Sequence, residues 1–186
     1  LMLKIPLPAE TFRIFAENCA RSDFWQAVLT SVIHILCGFA AAVLIGGVCA
    51  LLSSRHPVFR ALSAPIMHLV RSVPVAAFII IAWLWVPSRL LPSFISCLMV
   101  MPIIWSHVDA ALASLDDRLV EMAKVFGMKR GDILLKIKLP LISPSVRKGC
   151  ITGLGIAWKS GVAAEVICNP SGSIGALLQG AKTGID

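Results

Sequence analysis

One charged stretch between two apolar runs carries the residues whose types and spacing point to a function. It reads Glu121-Met122-Ala123-Lys124-Val125-Phe126-Gly127 and then, after nine residues, Ile137-Lys138-Leu139-Pro140. Asp116 and Asp117 suit a helix N-terminus, where carboxylates cap free amides. Gly127 can take a positive φ and end that helix. Asp132 is expected to cap a second short helix, which Pro140 stops. The product is a helix–turn–helix elbow with apolar Val125, Phe126 and Met128 at its tip. A solvated loop has no use for an apolar tip, whereas an elbow fitting a groove on a soluble partner does.

Catalytic chemistry has no comparable support. An intramembrane hydrolase needs His-Glu-x-x-His, paired aspartates or a Gly-x-Ser-x-Gly elbow, and none of these occurs in the sequence. The six cysteines are scattered without a Cys-x-x-Cys pair, and a cysteine in an apolar run behaves as a small hydrophobe, so no metal site is expected. His34, His68 and His107 stand singly and read as helix-packing or interfacial residues. Asp109 is expected to cap a helix or pair with loop cations. Two cations, Arg71 and Lys159, lie in or beside apolar runs, where a charge costs about 2.5–3.5 kcal/mol. A charge so placed faces a cavity or a partner, and both are candidates for a substrate path. Arg71 has the alternative of snorkelling to the nearer interface. Glu165 is expected at the outer interface.

The elements that must position these residues are membrane spans. The chain is 58% hydrophobic and 15% charged, against about 45–50% and about 25% for soluble domains, which excludes an ordinary soluble fold. The net charge of +7 is concentrated in short stretches between apolar runs, and no aromatic–basic interleaving suggests stacking on bases. No nucleic-acid partner is therefore expected. Four runs are long enough to cross about 30 Å of hydrocarbon: residues 26–52, 62–86, 91–115 and 145–167. Small residues recur every fourth position in the first (Gly38, Ala42, Gly46, Ala50) and the last (Gly149, Gly153, Ala157, Gly161), the usual device for close helix association in lipid. Pro74 and Pro102 are expected to kink their spans, with neighbouring groups satisfying the freed carbonyls. Residues 116–148 hold eight Lys/Arg against four acids, so by the positive-inside rule they are cytoplasmic. Alternation then places residues 53–61 inside, and the interfacial segment 1–25, the turn at 86–90 and residues 168–186 outside.

The elbow resembles the EAA loop of ABC importer permeases, in which Glu-Ala-Ala is followed by three residues, Gly, nine residues and Ile-x-Leu-Pro. Glu121, Ala123, Gly127, Ile137, Leu139 and Pro140 match it at the right spacing, and Met122 replaces the first alanine. Arg71-Ser72-Val73-Pro74, residues 153–167 and Gly172-Ser173-Ile174-Gly175 are similar to the nitrate/sulfonate/taurine group of these permeases. The resemblance runs from about Phe24 to the end of the chain. It implies an all-α integral membrane bundle in the bacterial cytoplasmic membrane, multi-pass, with the elbow as the coupling helix seated in a cleft of an ABC ATP-binding subunit. Permeases of this group have about six spans, so the first and last are expected to lie outside residues 1–186. The resemblance also implies a second permease copy, expected as a homodimer, an extracytoplasmic substrate-binding protein, and ATP and Mg on the ATPase rather than on this chain. The chain itself is expected to catalyse nothing. The substrate it implies is a small anion such as a sulfonate or nitrate, with a vitamin precursor as the alternative. A secondary transporter would need duplicated halves with interrupted helices, and the sequence shows no internal repeat.

Overall fold

The computed structural model describes residues 8–183, and among them every regular element is helical. Helix α1 (Pro8–Cys19) precedes α2 (Ser22–Arg55), α3 (Pro57–Ser72), α4 (Val75–Trp83) and α5 (Leu91–Ala113). Helix α6 (Asp117–Val125) leads to a short α7 (Arg130–Asp132), a π-helical turn (Ile133–Lys138), α8 (Leu139–Cys168) and α9 (Ile174–Thr183). The chain is an all-α integral membrane protein. Among the described residues three helices are long and apolar enough to cross a membrane: Ser22–Arg55, Leu91–Ala113 and the continuous run Arg130–Cys168. A fourth crossing exists if the bent pair α3–α4 is one span. The first seven residues of the expected interfacial segment lie outside the described residues.

Helix α5 is the centre of the bundle, packed between α2 and α8. Both small-residue stripes are buried, and they meet α5 from its two sides. A Cβ added to Gly46 would stand 2.7 Å from the Met101 carbonyl, and one on Gly153 would stand 2.9 Å from Val100 Cγ1. Hydroxyls bind across the same seams, as lipid-embedded helices require. Ser93 Oγ donates to the His34 carbonyl (2.8 Å) and Ser96 Oγ to the Ala157 carbonyl (3.0 Å). At one end Arg60 on α3 pairs with Asp109 on α5 at 2.9 Å, while Trp105 Nε1 donates to Ser53 Oγ (3.1 Å). The partner expected for Asp109 among the basic residues between spans is thus Arg60.

The kink expected at Pro74 is a sharp one, because α3 and α4 meet at 101°. Proline forces the residue before it out of the helical region, and Val73 is extended at φ −81°, ψ 135°. Pro140, in contrast, does not stop the second elbow helix, which runs on as α8. The π turn just before it shifts the hydrogen-bond register, the Leu139 N–H reaching the Leu134 carbonyl five residues back. The wider turn leaves room for the proline ring, whose missing N–H is tolerated at the start of an α-helical segment. The last span is therefore continuous with the elbow, and the division between a loop at 116–148 and a span from 145 dissolves. Asp132 does not cap a helix either. It pairs with Lys136 at 2.9 Å, and Lys129 occupies the N-cap position.

Candidate functional site

The elbow is built locally. Asp116 Oδ1 accepts from the Arg118 amide at 2.9 Å, the N-cap bond that starts α6. At the other end the Gly127 amide bonds the Lys124 carbonyl (2.9 Å) and the Met128 amide bonds the Ala123 carbonyl (3.0 Å). With Gly127 at φ +73°, this is the Schellman closure, which turns the chain sharply and satisfies the last carbonyls. Ala123 is buried where α6 approaches the π turn. The turn presents Val125 and Phe126 at 86% and 79% exposure. Beside them a hollow of about 280 Å³ is lined by Leu119, Met122, Phe126, Met128, Ile137 and Leu141. Leu139 and Pro140 are exposed just beyond it, as is Glu121, which makes no ion pair among the described residues.

The two intramembrane cations are not brought together. Arg71 is exposed in the last turn of α3, beside the bend. Lys159 is exposed on a face of α8 that no described element covers, in line with Thr152 and Gly155; a Cβ on Gly155 would meet nothing within 4 Å. Among the described residues no hydrogen bond or ion pair links either cation to another side chain.

A second polar node departs from the sequence expectation. Glu165, expected at the outer interface, is fully buried. Its Oε2 accepts from Ser31 Oγ on α2 (2.7 Å) and from the Gly175 amide (3.3 Å), while Ser31 Oγ in turn accepts from the Ile174 amide (3.0 Å). Oε1 is buried without a partner. The carboxylate thus holds the first amides of α9 against α2 and α8, and α9 is closed locally by Ser173, whose Oγ accepts from the Ala176 amide at 3.1 Å. The sequence does carry a signal for this. Glu165 is four residues beyond Gly161 and so extends the buried series 149, 153, 157, 161 by one more step.

Comparison with known proteins agrees with this geometry. The family model described as "Binding-protein-dependent transport system inner membrane component" matches residues 42–186. The taurine transport system permease protein TauC of Escherichia coli is 29% identical over 164 residues, covering 86% of this chain and 58% of the relative. The riboflavin transport system permease protein RibX of Chloroflexus aurantiacus is 26% identical over 180 residues (96% of this chain, 66% of the relative). The bicarbonate transport system permease protein CmpB of Synechococcus elongatus is 25% identical over 156 residues (82% and 54%). The chain therefore spans 58% of the length of the taurine permease and 54% of the bicarbonate permease. With a helical membrane bundle, a capped elbow outside it and a family match over most of its length, the chain belongs to the binding-protein-dependent transport system inner membrane components.

Proposed function

We propose that this chain is the permease subunit of an ATP-driven ABC importer of the bacterial cytoplasmic membrane, and that α6 with its Gly127 turn docks into the ATP-binding subunit. The observation that carries this is the apolar tip, Val125 and Phe126, exposed at the end of a capped helix beside the Gly127 turn. ATP and Mg reside on the ATPase, and this chain does no chemistry. Because α7, the π turn and α8 form one run of 39 residues, about 58 Å at 1.5 Å per residue, a push on the elbow moves a rod that crosses the bilayer. A second copy of the permease and an extracytoplasmic binding protein complete the transporter. Gly127→Val tests the docking. Its Cβ would meet nothing within 4 Å, so any effect comes from the positive φ, strained for a β-branched residue by about 1–3 kcal/mol. Insertion into the membrane is expected to persist while co-purification of the ATPase and uptake by the assembled transporter fall by about fivefold to about 150-fold, each 1.4 kcal/mol being a factor of ten. Normal uptake would remove the elbow from the coupling route.

The substrate is proposed to be a small anion such as a sulfonate or nitrate. Relatives named for taurine, a sulfonate, and for bicarbonate support that class, as do the two cations Arg71 and Lys159; the relative named for riboflavin supports a vitamin precursor instead. A cation on an otherwise small-residue face attracts an anion most strongly where water is excluded. Lys159→Met is expected to lower transport severalfold while leaving assembly and ATPase co-purification intact. Unchanged transport would take Lys159 out of the path, and lost expression would make it a structural residue.

A further inference from the structure

A second hollow, of about 470 Å³, lies where the last turn of α2 meets α6 and the stretch from Arg130 to Lys138. Four cations line it: Arg55, Lys124, Arg130 and Lys138, with His56 beside them and no carboxylate. None of the four is in an ion pair among the described residues, where the pairs are Arg13–Glu17, Arg60–Asp109 and Lys136–Asp132. Arg55, Lys124 and Arg130 are exposed, and all four cations border one concavity, where like charges repel and an anion would relieve them.

The wall of the hollow is as informative as its charge. Leu51 lines it from α2 and Ile133 from the π turn. Leu44, Val48, Leu51 and Arg55 follow one another at steps of four, three and four residues, and so share one face of α2. Leu44 and Val48 are 69% and 55% exposed. An apolar, exposed stripe therefore leads directly into a cationic hollow at the end of α2. A soluble anion would need only the cations, whereas a molecule with a charged head and an apolar tail uses both. Basic pockets between helices at this depth suit anionic headgroups.

We propose that this hollow binds a phosphate-bearing anion, supplied as the headgroup of an anionic phospholipid whose acyl chain lies along Leu44 and Val48. The bound headgroup bridges α2 to α6 and braces the root of the elbow. Val120 and Lys124 face the hollow, while Met122 and Phe126 line the other concavity of α6, so lipid and docking partner use different faces. The site does not depend on what the elbow docks to.

The test is native mass spectrometry of the full chain in detergent, titrated with phosphatidylglycerol or phosphatidylcholine. Phosphatidylglycerol is expected to bind about tenfold or more tightly than phosphatidylcholine. Arg55→Gln with Arg130→Gln should abolish that preference. Arg55→Lys with Arg130→Lys should keep most of it, which separates lost charge from lost folding. Arg147→Gln with Lys148→Gln removes the same charge outside the hollow and should keep it. Equal loss in the two glutamine pairs, or retention in the first, would overturn the site. Displacement of the lipid by millimolar inorganic phosphate would make a soluble anion the occupant and overturn the lipid assignment.

Discussion

Glu165→Ala is expected to destabilise the chain by about 3 kcal/mol or more, the largest effect of any single polar side chain in the bundle. Three donors converge on this corner: Ser31 Oγ and the Gly175 amide on the carboxylate itself, and the Ile174 amide on Ser31. Each buried donor left without an acceptor costs about 1–3 kcal/mol, and lipid offers no water as a substitute. The truncation also opens a void beside Gly175, whose backbone approaches the Glu165 side chain so closely that no Cβ fits. Glu165→Gln keeps an acceptor for Ser31 and Gly175 and is expected to lose less than half as much. The measurement is thermal unfolding of the full chain in detergent, together with proteolysis of α9, which should become accessible in the alanine variant before the rest of the bundle. An alanine variant that melts with the parent would show that the node does not hold α9.

The second large effect is a difference of sign between two glycines of the same helix. Gly38→Ala is expected to destabilise by about 1–3 kcal/mol, since its Cβ would overlap the Ser93 backbone carbonyl and stand 2.9 Å from Ser96 Cβ. Backbone cannot swing aside as a flexible side chain can, so α2 and α5 must separate and the Ser93–His34 bond is lost with them. Gly47→Ala, where the added Cβ meets nothing within 4 Å, is expected to stabilise by about 0.5–1 kcal/mol through helix propensity alone. Both variants are measured by thermal unfolding in the same detergent. Changes of the same sign would mean that α2 and α5 are not in the close contact described.

Much of the elbow is legible in the amino-acid sequence because its determinants are local. An aspartate cap, a glycine at positive φ and an apolar pair between them act within one or two turns, and residues 116–128 fold as those short-range rules require. The two small-residue stripes are legible for a related reason, since a period of four on a helix names a face without naming its partner. Where helices end is less legible. Proline does not by itself mark a stop: Pro65, Pro102 and Pro144 lie inside α3, α5 and α8 and Pro140 follows a π turn without a break, while the chain bends at Val73 and Pro74.

By itself, then, the sequence determined the class, the close-packing faces and the elbow with its exposed tip. Each of these follows from interactions between residues a few positions apart, or from total apolar content. Tertiary structure alone decided that α5 lies between the two stripes, that Arg60 answers Asp109, that Glu165 closes on Ser31 and α9, and that four cations from three elements share one hollow. The residues that meet in these contacts are as far as 143 positions apart. A charge near the end of a span has the same composition whether it faces headgroups or a neighbouring helix, and only the packing of that neighbour removes it from water.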